Sequence, residues 1–392
     1  MRKDFLPFAR PSIGEDAIQD IAESIRSGWI TTGPKTLAFE KEFARVVDAP
    51  YALAVNSATA GLHLALMALG IGQGDEVVTT PMTFAATVNT ILFTGARPVL
   101  ADIDRCTLNI RPEAIEAAIT PHTKAIVPVH FAGRPCRMEE ILEIARKHRL
   151  AVIEDAAHAM GASWSGGPVG RTPAGERRIC VFSFHPTKNI TTGEGGMVCT
   201  GDEEAAEAVS VMRQHGMSKG AWNRYAATGT PHYDIVVPGL KYNMLDIQAA
   251  IGLSQLRELD RFNARRRDLV AAYRRAFDGL PGLILPPEPE AGTVHSWHIF
   301  TPLIDTGALT IDRDRFMALM REQNIGTALH YQAVHLYTYY RKTLGWKPGD
   351  FPEAEYVSDR IVSLPLFPAM TDDDLADAAD ATKRVLAAHR AR

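Results

Sequence analysis

The chain has 392 residues, of which 46% are hydrophobic and 22% charged, and its formal net charge at pH 7 is -4. This composition is typical of a globular protein with a sizeable core, and the slightly acidic balance argues against binding to nucleic acid or to an anionic membrane surface. The sequence shows no signal-peptide core, and no apolar run reaches the ~18 residues of a membrane span. We therefore expect a cytoplasmic protein whose four cysteines, which lack metal-ligand spacing, are free thiols.

Short apolar runs alternate with helical patterns from residue 51 to residue 200. This alternation predicts an α/β fold in which a large, mainly parallel sheet carries helices on both faces. The predicted strands are 51–55, 76–80, 97–101, 125–130, 151–155, 179–184 and 196–200, and the predicted helices are 58–69, 84–94 and 138–148.

The rest of the sequence predicts a smaller second domain. Residues 246–278 show one long helical pattern, and prolines then mark a loop at 281–289 before an α+β region that ends in a surface helix at 372–391. We predict a large domain over 1–250, with residues 1–34 available to pack on the small domain, and a linker helix with the small domain over 251–392. The long helix is expected to expose a solvated basic face formed by Arg257, Arg261, Arg265, Arg266, Arg267, Arg274 and Arg275.

Two segments carry the residues from which we infer chemistry. Lys188 lies between the strand 179–184 and a glycine-rich turn at 193–196, and Asp155 ends the apolar strand 151–155. Ligands of parallel sheets bind beyond the carboxyl ends of the strands. A lysine that forms a Schiff base and a carboxylate that pairs with a pyridinium nitrogen are what pyridoxal phosphate requires of a protein. The sequence therefore predicts a pyridoxal-phosphate enzyme.

A candidate phosphate site lies at residues 52–61, which run from a strand into a helix. Small residues let the backbone approach an anion, the helix N-terminus offers N–H groups, and Ser57 and Thr59 add hydroxyls. Taken alone, this segment is equally an ordinary helix cap, Asp155 could cap the following helix, and Lys188 could be a surface lysine. The histidines show no metal-ligand pair, so no metal site is predicted.

Separated segments of the chain resemble the sugar aminotransferases of the DegT/DnrJ/EryC1/StrS family, a branch of the fold-type I pyridoxal-phosphate enzymes. Besides the motifs above, the resemblance rests on Ser-Gly-Trp-Ile-Thr-Thr-Gly-Pro at 27–34, Gly-Leu-Lys-Tyr-Asn-Met at 239–244 and Ser-Leu-Pro-Leu-Phe-Pro at 363–368. It covers nearly the whole chain. Within the family, the sequence is most similar to the branch that forms UDP-4-amino-4-deoxy-L-arabinose, although Asn56, residues 82–84 and residues 172–178 depart from that branch.

The resemblance implies a role for each matching residue. Lys188 would bind the cofactor covalently and then move a proton, while Asp155 would pair with the ring nitrogen. Phe84 would stack on the ring, and His158 would lie beneath or beside it. The cofactor phosphate would be held by Ser183, Thr59 and the backbone N–H of Ala60, with Asn243 reaching in from a second subunit. The candidates for binding the sugar nucleotide are Trp29, Ile30, Thr31, His185, His330 and Tyr331.

The implied reaction has two halves. L-glutamate would give its amino group to the cofactor and leave as 2-oxoglutarate, and the amino group would then pass to C4 of a nucleotide-linked 4-keto sugar. The C4 position rests on residues 189–196, and the branch similarity favours a UDP-4-keto pentose over a UDP- or GDP-linked 4-keto-6-deoxyhexose. The resemblance also implies a homodimer with shared active sites. The product would serve lipopolysaccharide (lipid A or O-antigen), flagellin glycosylation or a secreted metabolite.

Three other functions are weighed against this one. Family members that dehydrate sugars carry histidine in place of the lysine, so Lys188 argues against that activity. A non-catalytic cofactor-binding regulator would leave the intact set of catalytic residues unexplained. A fold-type I enzyme for free amino acids would need an arginine for the substrate carboxylate, and the small domain offers Arg313, Arg315, Arg321 and Arg341.

Overall fold

The fold is described from a computed structural model, which covers residues 2–218 and 232–391. Residue 1, residues 219–231 of the predicted large domain, and residue 392 lie outside the described residues. The helices are α1 Glu15–Ser27, α2 Pro34–Val47, α3 Ala58–Ala68, α4 Ala85–Phe93, α5 Pro112–Ala118, α6 Met138–His148, α7 Glu203–Met212, α8 Asp246–Arg257, α9 Leu259–Ala276, α10 Arg313–Glu322, α11 Thr338–Leu344, α12 Pro352–Ser358 and α13 Asp372–Ala388. The strands are β1 Tyr51–Val55, β2 Glu76–Thr79, β3 Arg97–Leu100, β4 Thr123–Val127, β5 Ala151–Asp155, β6 Ser163–Trp164, β7 Gly167–Pro168, β8 Arg178–Ser183, β9 Gly196–Thr200, β10 Leu283–Ile284 and β11 Leu303–Ile304.

Seven of these strands form one sheet in the order β1-β9-β8-β5-β4-β2-β3. β9 runs antiparallel to both of its neighbours, whereas the other neighbouring strands run parallel. The carboxyl ends of β1, β5 and β8 therefore meet at one edge of the sheet. At that edge, the last residues of β1 and β8, Val55 and Ser183, both pair with Gly196 of β9. The expected mainly parallel sheet is confirmed, and its topology gathers the ends of the predicted strands that carry Asp155 and Ser183.

Both faces of the sheet are covered, which explains why its strands are almost continuously apolar. On one face, residues such as Leu62 and Leu66 of α3 and Val209 of α7 form a core with Val181 and Val198. On the other face, α2 and α8 build a second core with the opposite sides of β8 and β9, and α6 extends the cover over β4 and β5. These two layers hold the strand ends, and hence the candidate site, in a fixed frame.

A further core lies in the C-terminal part of the chain, where Tyr273 of α9, Phe316 of α10 and Leu386 of α13 pack together. Leu6 belongs to the same core and pairs with Ile325, whereas α1 packs on α8, so the predicted packing of residues 1–34 on the small domain stays a prediction. The predicted boundary at residue 250 falls inside α8, and the division of the chain into two domains stays a prediction.

The predicted continuous helix over 246–278 is wrong in detail, because the chain forms two helices, α8 and α9, that meet at Glu258. The residues on either side pack on different cores: Leu256 joins the sheet layer, and Leu269 joins the C-terminal core. The break at Glu258 thus lets α8 pack on the sheet layer while α9 extends to the C-terminal core.

The predicted basic face also needs a correction at Arg266. Its side chain is only 2% exposed, and its Nη1 donates to the backbone carbonyls of His298 at 2.9 Å and Leu366 at 3.0 Å. Helical spacing assigns Arg266 to the outer face only if α9 has solvent on that side. The segments at 297–298 and 366 cover it instead. Burial lowers the pKa of Arg266 to about 10.

Among the helices in the described ranges, none is long and apolar enough to cross a bilayer.

Candidate active site

A cavity of about 330 Å³ opens at the carboxyl ends of β1, β5 and β8. Loops that follow these strands meet there with the segment 330–331 from the C-terminal part of the chain. The structure thereby brings together most of the residues proposed from the sequence. Those that line the cavity are Ser57, Thr59, Phe84, Asp155, His158, Ser183, His185, Lys188, His330 and Tyr331.

Lys188 projects from the turn that follows β8, where its backbone N–H donates to the carbonyl of His185 at 2.9 Å. Burial lowers the pKa of the Lys188 amine from 10.5 to about 8, and the negative charge of Asp155 opposes that shift. A lysine with this pKa is neutral in roughly a tenth of molecules at pH 7, far more often than an ordinary lysine. It can therefore act as a nucleophile and as a proton carrier.

Asp155 ends β5 and is 6% exposed. Its Oδ2 accepts a hydrogen bond from Thr87 Oγ1 at 2.8 Å, and its Oδ1 accepts one from the backbone N–H of Ala157 at 3.1 Å. Burial raises the pKa of Asp155, while these two hydrogen bonds and the Lys188 charge act in the opposite direction. The carboxyl group is thus held in one orientation at the cavity wall.

Sequence reasoning missed the contribution of α4 to this arrangement. Thr87 binds Asp155, and Thr83 in turn binds the Thr87 hydroxyl at 2.8 Å. Both threonines are buried. A signal was available, since two threonines four residues apart in an otherwise apolar segment indicate a buried polar stripe that faces a partner.

The hydrogen bonds of His158 define its tautomer. The backbone N–H of Ala132 donates to His158 Nδ1 at 3.2 Å, and Nδ1 must therefore be an acceptor. Burial and the nearby Lys188 charge lower the pKa of His158 well below its ordinary value, so the ring is neutral and carries its proton on Nε2. Nε2 lies 3.0 Å from the hydroxyl oxygen of Tyr331, which must accept that proton. The Tyr331 hydroxyl proton is then free to point at a group in the cavity.

Aromatic rings cover the cavity beside this pair. The rings of His158 and Tyr331 are stacked with centroids 5.9 Å apart, and the ring of His298 lies 4.4 Å from that of His158. Phe84 is 61% exposed at the rim, and its centroid lies 6.0 Å from that of Tyr331. An exposed aromatic ring at the rim is well placed to cover a planar ligand.

The two remaining cavity histidines differ in environment. His185 is exposed, and its Nδ1 lies 3.0 Å from the hydroxyl of Thr187. The Nδ1 of His330 lies 2.9 Å from the hydroxyl of Ser363. Burial together with the Lys188 charge lowers the pKa of His330 to about 4. His330 is therefore neutral at physiological pH.

The N-terminus of α3 forms the opposite end of the cavity. Ser57 caps the helix, and its Oγ accepts from the backbone N–H of Ala60 at 3.1 Å. Gly61 lets the helix approach the sheet, since a Cβ there would lie 2.7 Å from Val181. Gly196 has the same effect, because its Cβ would lie 2.7 Å from the backbone nitrogen of Ala58. The helix dipole and these close backbone approaches make a site for an anion.

Five of the proposed residues do not line this cavity in the described chain: Trp29, Ile30, Thr31, Ala60 and Asn243. Trp29 and Ile30 are 43% and 51% exposed. Asn243 is buried, and its Nδ2 donates to Thr32 Oγ1 at 2.6 Å. Thr32 thereby joins Asn243 to the segment 29–31, and the predicted roles of these residues stay predictions.

In residues 2–218 and 232–391, no group of three or more His, Cys, Asp or Glu side chains is arranged to hold a metal ion. The groups that converge on the cavity are a lysine with a lowered pKa, a carboxylate at a strand end and a helix N-terminus flanked by hydroxyls. This set fits pyridoxal phosphate, which needs a covalent anchor, a partner for its ring nitrogen and a phosphate site.

Comparison with known proteins identifies the family. The model of the DegT/DnrJ/EryC1/StrS aminotransferase family matches residues 11–383. The chain belongs to this family. It is 49% identical to an uncharacterised protein of Methanocaldococcus jannaschii over 393 residues, with both chains covered completely. It is 48% identical to the spore coat polysaccharide biosynthesis protein SpsC of Bacillus subtilis over 386 residues, which are 98% of each chain.

Solved structures give the same result. A putative sugar aminotransferase of Streptococcus pneumoniae in its PMP form is 32% identical, with a TM-score of 0.90 and 98% of each chain covered. The same protein is also known in a PLP form. PseC of Helicobacter pylori, an aminotransferase involved in the biosynthesis of pseudoaminic acid, is 28% identical, with a TM-score of 0.89 and coverage of 98% of this chain and all of PseC. These comparisons confirm the predicted family and the fold-type I architecture. They also confirm the predicted enzyme class, a sugar aminotransferase that depends on pyridoxal phosphate.

Proposed function

We propose that this aminotransferase moves the amino group of L-glutamate to C4 of a nucleotide-linked 4-keto sugar. The observation that carries the proposal is the convergence of Lys188, Asp155 and the α3 N-terminus on one cavity. Lys188 would anchor the cofactor, Asp155 would accept a hydrogen bond from its ring N–H, and Ser183 and Thr59 would hold its phosphate. The backbone N–H of Ala60, which donates to Ser57 Oγ in this structure, is the further donor that the resemblance implies. Pyridoxal phosphate, when bound, supplies an electron sink. It thereby acidifies the C–H group on the substrate carbon that carries the nitrogen.

The other steps, proton transfer and binding of the cofactor ring, are assigned to residues of the chain. The neutral amine of Lys188 takes a proton from the substrate carbon and returns it, and its lowered pKa suits this exchange. Burial raises the pKa of Asp155, but its two hydrogen bonds favour the carboxylate form and a positive ring nitrogen beside it would favour that form further. Phe84 covers the ring from the rim, and the neutral ring of His158 lies at the cavity wall, where its fixed tautomer leaves the Tyr331 proton for an oxygen of the ligand.

The sugar side remains a choice between related substrates. The similarity of residues 189–196 to enzymes that aminate C4 supports a 4-keto sugar, and the resemblance to the arabinose branch favours a UDP-linked pentose. The polar groups that the chain offers at the open side are His185, His330 and Tyr331, which can bind sugar hydroxyls. A UDP- or GDP-linked 4-keto-6-deoxyhexose is the second candidate, and the likeness to SpsC supports an aminosugar for a surface polysaccharide.

We further propose a homodimer in which each subunit completes the site of the other. The support is that Trp29 and Asn243 both donate hydrogen bonds to Thr32, and that neither they nor Ile30 line the cavity of their own chain. Two of them expose large apolar surface, and Asn243 carries a buried Oδ1 that lacks a hydrogen-bond partner. A hydrogen-bond donor of the partner would satisfy that Oδ1, and the second N–H of Asn243 Nδ2, which Thr32 does not use, would donate to the phosphate in the partner's site. The enzyme would work in the cytoplasm, where glutamate and nucleotide sugars are available.

The first test is absorbance of the purified holoprotein between about 320 and 430 nm. Addition of L-glutamate should convert the lysine-bound form of the cofactor into its amino form, and one member of a panel of UDP-, GDP- and dTDP-linked 4-keto sugars should reverse the change. Reversal by the UDP-4-keto pentose alone supports the arabinose-type substrate, and reversal by a deoxyhexose supports the second candidate. A protein that binds the cofactor but responds to no donor and no sugar would contradict the proposal and favour a regulator.

Shared sites predict complementation between two inactive variants. Lys188→Ala removes the anchor and Asn243→Ala removes the residue proposed to reach the partner. In mixed dimers, one of the two sites should then have both wild-type residues, and the mixture should recover up to about a quarter of wild-type activity for random mixing. Lys188→Ala mixed with Lys188→Arg is the matched control and should recover nothing. Failure of the first mixture, with mixed dimers demonstrated by mass spectrometry, would contradict the shared site.

A further inference from the structure

A second, very small cavity of about 10 Å³ lies between the segment that carries Lys188 and helix α9. Lys188, Asn189 and Arg266 are among its lining residues. Asn189 and Arg266 are 3% and 2% exposed, and each has one buried polar atom without a partner: Asn189 Oδ1 and Arg266 Nε. Two residues that line the same cavity thus keep one unpaired acceptor and one unpaired donor. Unpaired buried polar groups are rare in folded proteins because they lose their hydration without compensation.

The orientation of the Asn189 amide follows from its neighbours. Its Nδ2 donates to the backbone carbonyl of Ser296 at 3.0 Å, and a carbonyl can only accept. Nδ2 also donates to Asn263 Oδ1 at 2.7 Å. Asn263 is oriented in the same way, since its own Nδ2 donates to the carbonyl of Met160 at 3.1 Å. Two backbone carbonyls therefore require Asn189 Oδ1 to face away from these partners and to seek a donor elsewhere.

The same hydrogen bonds connect Lys188 to the strand end that carries Asp155. Ser296, whose carbonyl binds Asn189, also donates through its Oγ to the backbone carbonyl of His158 at 3.0 Å. Asn263 reaches Met160, two residues further on. Asn189, which follows Lys188 directly, is thereby linked to both sides of the segment 158–160. The positions of the lysine and of the His158 segment are coupled through one buried network.

We propose that Asn189 positions Lys188, and that one ordered water molecule completes its hydrogen bonds. The water accepts from Arg266 Nε and donates to Asn189 Oδ1, and the cavity volume of about 10 Å³ is at the lower limit for one water. This inference rests on the proposed function, in which Lys188 is the covalent anchor. Asn189 touches no reacting atom. It fixes the backbone from which the lysine side chain reaches the cavity, and the buried arginine on α9 fixes Asn189.

A crystal structure of the wild-type apoprotein tests the water directly and needs no turnover. The expected result is a well-ordered water within about 2.7–3.2 Å of both Asn189 Oδ1 and Arg266 Nε. A dry cavity, or direct contact between the two atoms, would overturn the proposed bridge.

The positioning role is tested by Asn189→Ala, with Thr382→Ala as the matched control. Thr382 is fully buried in α13 and lines neither this cavity nor the active-site cavity, and its Oγ1 donates to the carbonyl of Ala378 at 2.9 Å. Both variants should lower Tm because each loses a buried polar side chain. Only Asn189→Ala should lower kcat, by between about tenfold and a hundredfold, with a smaller change in KM for glutamate. It should also shift the pH midpoint at which the lysine–cofactor linkage forms.

The outcomes separate this inference from the function on which it rests. A wild-type protein that forms no covalent linkage with pyridoxal phosphate would contradict the proposed function. A wild-type protein that forms it, together with an Asn189→Ala variant of equal kcat and equal pH midpoint, would overturn the positioning role alone. Should Asn189→Ala fail to fold, the crystallographic measurement still decides whether the network is built as proposed.

Discussion

In the proposed reaction, the amine of Lys188 must be neutral before it can attack the aldehyde carbon of the cofactor. Burial places its pKa at about 8 instead of the ordinary 10.5. At pH 8, about half of the amine is then neutral, against about 0.3% for an ordinary lysine, which is an advantage of about 150-fold in reactive species. The rate at which the apoprotein captures pyridoxal phosphate should therefore rise with pH to a plateau, with a midpoint near pH 8.

The sign of the Asp155 effect makes this prediction specific. The negative charge of Asp155 favours the protonated form of Lys188 and so opposes the effect of burial. Asp155→Asn removes that charge and should move the midpoint below pH 8, even though the variant loses the partner of the ring nitrogen and turns over slowly. An influence of Asp155 through folding alone would not shift the midpoint in this direction.

Stopped-flow absorbance of apoprotein mixed with pyridoxal phosphate, from pH 6.5 to pH 10, measures the midpoint. The same reaction with N-α-acetyl-lysine in solution is the control, because the cofactor's own titration affects both reactions equally. A midpoint near pH 10 in the protein would refute the argument from burial. A midpoint that rises in Asp155→Asn would refute the assigned charge interaction.

Three further predictions concern other parts of the site. Tyr331→Phe removes the hydroxyl that accepts the His158 Nε2 proton and points at the cavity, so kcat should fall by about tenfold with little change in Tm. A sugar half-reaction of unchanged rate in single-turnover absorbance would contradict a role of this hydroxyl in the reaction. Gly196→Ala places a Cβ against the backbone of Ala58, and denaturant unfolding should show a loss of about 1–3 kcal/mol together with weaker cofactor retention; full retention would argue against a tight cradle. Arg266→Met leaves the carbonyls of His298 and Leu366 without donors, so urea unfolding should show a free energy of unfolding lower by about 2–4 kcal/mol. A more stable variant would show that the fold does not need the buried charge.

Much of the sheet could be predicted from the sequence because its strands are short apolar runs separated by clear turns. The predicted ranges of β1, β5 and β9 agree with the structure at both ends, and Lys188 and Asp155 follow from their places beyond such strands. Local pattern was sufficient here because a strand buried on both faces is apolar at nearly every position.

The features that the sequence did not reveal depend on contacts between distant segments. Nothing near Arg266 indicates that residues 297–298 and 366 cover it, and helical spacing alone placed it on a solvated face. The Tyr331–His158 hydrogen bond joins residues far apart in the chain, so both were proposed but not as a pair. The sequence gives Asn189 no role of its own, because its hydrogen bonds are to Asn263 and Ser296, which lie far away in the chain.

The antiparallel strand β9 has a consequence for the dynamics of the site. The segment 184–195, which contains Lys188, is closed at both ends by the paired residues Ser183 and Gly196 in the middle of the main sheet. Its ends cannot separate unless β8 and β9 separate, and those strands belong to the buried core. The amides of β8 and β9 should therefore exchange with solvent only through global unfolding. Lys188 is thus tied to the part of the sheet that should exchange most slowly, whereas Phe84 and the segment 330–331 line the cavity from outside this closed loop.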